Sequence, residues 1–301
     1  MKIKESVSKC KYSTSLVVFG VAAVILTVLR LVHIKTSIDA STGFYTKTGF
    51  SVMIFYALLF MSCLYFAVSS FISADSKNVT LCKKSKSMNI VTLAFSFFAF
   101  FDGALSFIRS IAATGDTQTA STVFKGLMIS GAIPLFLQSV FAVISGIFFI
   151  ELALSFKKGD GSAAKHRIAA LMPVGWVSCR MLHLFVSKIS FLRVSDLFLE
   201  LSMCAFMVLF FMALAQVSSN VYSTESRWRL VGFGLPAALI STLTSVSRLV
   251  FTFVSKETYI NENHPFNIVD LAFSVFAVML VVLLMKNGSA AGEEEEKEIV
   301  S

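Results

Sequence analysis

Eight times along the chain a long apolar run is closed by a short polar, often basic, stretch. The runs fall at about 14–35, 48–73, 88–113, 128–156, 166–188, 195–219, 229–254 and 266–287. Each has about twenty residues or more, which as a helix at 1.5 Å per residue crosses a hydrocarbon core of roughly 30 Å. The pattern predicts an all-α, polytopic membrane protein with eight transmembrane helices arranged as four helical hairpins.

The polar intervals carry a second pattern. Lys2, Lys4, Lys9 and Lys11 precede the first run, Lys77, Lys83, Lys84 and Lys86 follow the second, and Lys157, Lys158, Lys165 and Arg167 follow the fourth. Arg227 and Arg229 follow the sixth run, Lys286 and Lys297 the eighth. The alternate intervals hold only Lys35, Lys47, Lys125, Lys188, Arg193 and Lys256. Basic residues gather in cytoplasmic loops, so this bias predicts a cell-membrane protein with both termini in the cytoplasm. Because the bias recurs at every alternate loop, it supports the count of eight more firmly than any single boundary.

The four remaining basic residues lie inside runs. Arg30, Arg109, Arg180 and Arg248 fall one in each odd-numbered run and none in an even one. The first and third read Arg-x-x-His (Arg30 with His33, Arg180 with His183); the second and fourth keep the arginine without the histidine. In the even runs "VSDLFLEL" at 194–201 echoes "IVDLAFSV" at 268–275, aligning Asp196 with Asp270. These echoes predict an internal repeat, with residues 1–157 forming a first four-helix half and 158–287 a second. Four helices is an even number, so both halves enter from the same side and the repeats run parallel. Residues 288–301, "SAAGEEEEKEIVS" after Gly288, read as an acidic, disordered cytoplasmic tail.

Composition narrows the class further. With 56% hydrophobic and 15% charged residues and a mean hydropathy of +0.78, a soluble domain could not hide its apolar surface. The net charge of +8 suggests nucleic acid at first sight. The basic residues, however, are spread between apolar runs and not interleaved with aromatics in one patch, so the expected partner is the lipid bilayer and not nucleic acid. Cys10, Cys63, Cys82, Cys179 and Cys204 all avoid the segments placed outside, and so predict no disulfide framework. The N-terminal run is longer than a signal-peptide core and is expected to be retained as a span. Asn78 heads an "NVT" acceptor, but in a loop assigned to the cytoplasm.

Candidate chemistry rests on the in-membrane charges. An arginine at a span's centre costs roughly 2.5–3.5 kcal/mol, so four central and unpaired ones would cost on the order of 10 kcal/mol. Counted from the inner ends, Arg180 lies roughly 20 Å deep, Arg30 and Arg248 farther out, and Arg109 close to the outer headgroups, within snorkelling reach. The other three either pair across helices or line an outward-facing polar vestibule that binds a small anionic or zwitterionic solute. Asp102, in "FFDGALSFIR", is expected to pair with an arginine from another helix or to be protonated, because Arg109 is two turns away. Asp196, Glu200 and Asp270 complete the acidic set, and Glu151 near Lys157 is structural. Pro134, Pro173 and Pro236 lie within the expected spans and could unwind them locally.

The candidate solute-binding residues are therefore Arg30, Arg180, Arg248, Asp102, His33, His183, Asp196, Glu200 and Asp270. His33, His183 and His264 share the outer side, but no closely spaced ligand set accompanies them, so neither a metal nor another cofactor is expected. No phosphate-binding loop, nucleophile elbow or His-Glu-x-x-His occurs, and the loops are too short for a soluble catalytic domain. The expectation is a transport protein. The alternative is a non-transporting sensor, assembly factor or structural subunit whose charges fix helix packing; third comes an intramembrane enzyme acting on lipid.

Overall fold

The computed structural model describes residues 2–38, 45, 49–72, 84–114, 132–159, 167–187, 194–219, 226–254 and 266–300. His264, Asn78, Cys82 and Lys47, Lys77, Lys83, Lys125, Lys165, Lys188 and Lys256 lie outside them. The described chain is all helical: α1 (Lys2–Thr36), α2 (Phe50–Ile72), α3 (Lys86–Thr114), α4 (Ala132–Lys158), α5 (Met172–Ser187), α6 (Val194–Ser218), α7 (Ser226–Val254) and α8 (Ile268–Val300). A single 3₁₀ turn, Ala169–Leu171, leads into α5. Seven of these helices are long and apolar enough to cross a membrane; the described apolar part of the eighth, Ile268–Leu284, is shorter. The backbone of α8 continues as helix through Val300, across the stretch that composition alone reads as a disordered tail.

The helices are built with their apolar faces outward. On α1, Val17, Val21, Val24, Val28 and Val32 are half exposed or more, while Arg30 and His33 are each 2% exposed. Aliphatic residues spaced by three and four occupy one helical face, so this is the reverse of a soluble helix, with charge inside and hydrocarbon outside. The outer faces of α2, α3 and α4 repeat it, through Phe60, Phe97 and Ile147 among others. The helix α7 is central instead. It packs against α1, α2, α6 and α8, and is buried along most of its length.

The closest helix pair is α3 with α4. Small residues explain it: Gly103 faces Ala142 and the Ser139 carbonyl, and Gly146 lies against the Phe100 ring so tightly that an added Cβ would come within 2.8 Å of it. The Ser96 hydroxyl then donates to the Gly146 carbonyl at 2.8 Å. Small residues let helix backbones approach and side-chain hydroxyls bond across the contact. Neighbours in sequence touch at α1–α2, α3–α4, α5–α6 and α7–α8, but so do α4–α5 and α6–α7, so adjacency alone does not divide the chain into hairpins.

Two of the three span prolines turn out to be harmless. Pro134 is the third residue of α4 and Pro173 the second of α5, positions in a first turn where the missing N–H has no helical partner to lose. Only Pro236 of these three lies in a helix interior. The middle of the bundle is filled by rings from four helices. Phe95 on α3 stacks on Phe276 of α8 at 5.0 Å and meets Phe149 of α4 at 4.8 Å, and Phe211 of α6 and Phe273 of α8 join the same cluster.

Candidate functional site

The candidate residues converge at one end of the bundle, where α1, α3, α5 and α7 finish and α4, α6 and α8 begin. Local sequence dictates the convergence. Asp196 and Asp270 each fall in the first turn of their helix, where the exposed N–H groups favour a carboxylate. Glu200 follows Asp196 by four residues and shares its face. Asn267 caps α8: its side-chain oxygen accepts the Val269 N–H at 3.2 Å, which turns its amide nitrogen toward Asp102.

Three arginines are each taken by a carboxylate from another helix. Arg30 of α1 pairs with Asp196 of α6, its other nitrogen donating to the Tyr45 hydroxyl at 2.8 Å. Arg180 of α5 makes a two-pronged pair with Asp270 of α8, the Nη2–Oδ2 arm being 2.7 Å and the Nη1–Oδ1 arm shorter still. Arg248 of α7 holds Glu200 of α6 at 2.5 Å. All three arginines are 9% exposed or less. The helix pairs α1–α6 and α5–α8 do not pack along their length, so the long guanidinium side chains reach across the bundle interior to close these pairs. Paired, each charge escapes most of the cost of its burial, and the parallel fork of Arg180 on Asp270 is the strongest such geometry.

Asp102 differs. It is 4% exposed, and its Oδ2 accepts the Trp176 indole N–H at 2.8 Å and the Gln138 amide at 3.0 Å. The Asn267 amide lies 3.5 Å from Oδ1. An indole N–H can only donate, so Trp176 fixes Oδ2 of Asp102 as an acceptor. In place of an arginine, the side chains that hold Asp102 are neutral donors from α4, α5 and the start of α8. Cys204, fully buried on α6, follows Glu200 by one turn on the same face. Three guanidiniums and four carboxylates lie at this end of the bundle, all of them buried except Asp196, which is partly exposed.

The remaining candidates take lesser places. Arg109 is exposed on α3. His33 is buried, its ring nearly perpendicular to Phe55 at 5.6 Å, and its Nδ1 has no hydrogen-bond partner among the described residues. His183 is half-buried on α5. Among the described residues no three His, Cys, Asp or Glu side chains converge closely enough to hold a metal ion.

Reading by residue type misses Trp176, Gln138, Asn267 and Tyr45, because a neutral donor in an apolar run carries no motif. Two signals were there: Gln138 is an amide inside a long apolar run, and Trp176 is one of only two tryptophans in the chain. Directly beneath Asp102, Trp176 also touches the aromatic core, 6.2 Å from Phe95, which lies about two turns toward the opposite end of α3. No family model matches the chain, and neither a curated protein nor a solved structure matches it.

Proposed function

We propose that the chain is an eight-span protein of the cell membrane with cytoplasmic termini, working as a non-transporting sensor, assembly factor or structural subunit. In this reading its outer charge layer locks the helices together. The observation that carries it is the pairing: Arg30, Arg180 and Arg248 each already hold a carboxylate of another helix. A guanidinium that binds an outside anion would first have to release that partner. The ring cluster of Phe95, Phe149, Phe211, Phe273 and Phe276 beneath the layer adds support, since it fills the interior a solute would have to cross.

The parallel repeat belongs to the same proposal. The two arginines of the Arg-x-x-His motif pair with the two aspartates that align in sequence, Arg30 with Asp196 and Arg180 with Asp270. The proposed duplication of residues 1–157 onto 158–287 rests on the sequence echoes alone, because Asp196 and Asp270 both lie in the second half and the two pairs are not related by it.

A transport reading keeps one observation of its own. Asp102 gives the layer a fourth carboxylate against three arginines, a charge that a coupled cation or a zwitterionic solute could use. Melting temperatures separate the two readings. Wild type and Arg180→Lys are heated with and without a panel of small carboxylates, phosphates and halides. The lock predicts that no anion stabilises wild type and that Arg180→Lys melts early in every buffer, because lysine cannot copy the two-pronged pair. An anion that raises the wild-type melting temperature, with the rise lost in Arg180→Lys, would favour transport. Reporters that work only in an oxidising exterior, fused to either terminus, should stay silent; a signal from one of them would overturn the topology.

A further inference from the structure

We infer that the cytoplasmic half of the cleft between α1 and α2 holds one anionic phospholipid, with its acyl chain in the cleft and its headgroup beside the basic start of α1. The word cytoplasmic rests on the topology proposed above; the cleft itself does not. A cavity of about 480 Å³ opens there on the outside of the bundle. Met61, Leu64, Val68 and Ile72 form its wall, spaced down a single face of α2, and they are 59%, 45%, 46% and 61% exposed. Thr14 and Ser69 also line it, and the Ser15 and Ser69 hydroxyls, 3.3 Å apart, tie α1 to α2 beside it.

The dimensions choose the occupant. From Met61 to Ile72 the wall runs about 16 Å along the helix, half of a hydrocarbon core of roughly 30 Å. That is the depth of one leaflet, suited to an acyl chain and too short for a second helix crossing both. The charge chooses the headgroup. The helix of α1 continues unbroken from Thr14 back to Lys2, and that stretch carries Lys2, Lys4, Lys9 and Lys11 against a single acid, Glu5. Lysines placed just outside a span attract anionic lipid at the adjoining leaflet.

The test uses the full chain in mild detergent, equilibrated with mixed micelles holding equal amounts of phosphatidylglycerol and phosphatidylcholine, and native mass spectrometry of what stays bound. One phosphatidylglycerol per chain is expected. Val68→Trp should fill the cleft and abolish retention. Leu64→Trp serves as a second filler, decisive if the first melts below wild type in lipid-free detergent. The double change Lys9→Gln with Lys11→Gln should lose roughly thirtyfold in preference for the anionic lipid, the worth of two lysines at a leaflet surface. Equal retention of both lipids by wild type, retention that survives both tryptophan fillers, or a second copy of the chain bound in place of lipid would each overturn the inference. If terminal reporters instead put the N-terminus outside while retention holds, the lipid site stands in the other leaflet and only the topology fails.

Discussion

Replacing Arg180 with methionine keeps most of the side chain's length and removes its charge. Asp270 is then left 1% exposed without either guanidinium arm. Stranding one member of a buried ion pair costs about 3–5 kcal/mol, most of it the penalty of an uncompensated charge. Asp270→Leu strands Arg180 in the same way and should cost a similar amount. The double variant strands nothing. Its apolar pair can pack where the charges were, so its stability should return to within about 1 kcal/mol of wild type. The difference between the double loss and the sum of the single losses is the coupling energy, expected to exceed 3 kcal/mol in favour of the pair. At roughly 2–4 °C per kcal/mol, each single variant should melt about 10 °C early and the double close to wild type. Melting in detergent, followed by loss of helical signal, measures all four proteins. Single losses below about 1 kcal/mol, or a double loss equal to their sum, would refute the claim that this pair is buried and mutually dependent.

Trp176→Phe removes the indole donor from Asp102 but keeps an aromatic ring near Phe95 and Phe211; the lost charge-assisted hydrogen bond should cost about 1.5–3 kcal/mol in the same melt. Asp102→Asn should also melt early, because its amide keeps one acceptor oxygen for Trp176 and Gln138 but turns a donor toward the Asn267 amide, and an unchanged melt would remove Asp102 from the lock. Arg109→Gln should change stability by less than about 0.5 kcal/mol, since the side chain is exposed; a large loss would show that it is tied into the bundle.

The helix class, seven long apolar helices and the identity of the buried charges were legible because each depends on a residue's own transfer energy and on helical spacing. Arg30 and His33 share a buried face as Arg-x-x-His predicts. Which carboxylate each arginine would take was not legible. Arg30 and Asp196 are 166 residues apart, and pairing at that distance is decided by how helices pack. The role of Asp102 was hidden for the same reason, its donors coming from α4, α5 and the entry to α8. Proline position within a helix was not legible either: Pro134 and Pro173 fall inside spans as expected, but near the start of their helices, where proline is tolerated.

Cys204 reports directly on whether the charge layer is closed, without disturbing any of its charges. It is fully buried on α6 among Arg180, Asp270, Glu200 and Asp102. In a variant that keeps Cys204 and carries serine at Cys10, Cys63, Cys82 and Cys179, a membrane-impermeant thiol reagent is added outside intact cells or right-side-out vesicles. A locked layer predicts no labelling over hours and complete labelling once the protein is unfolded in strong detergent. Labelling within minutes, at the rate of an exposed cysteine, would show that water fills the layer and would contradict the lock.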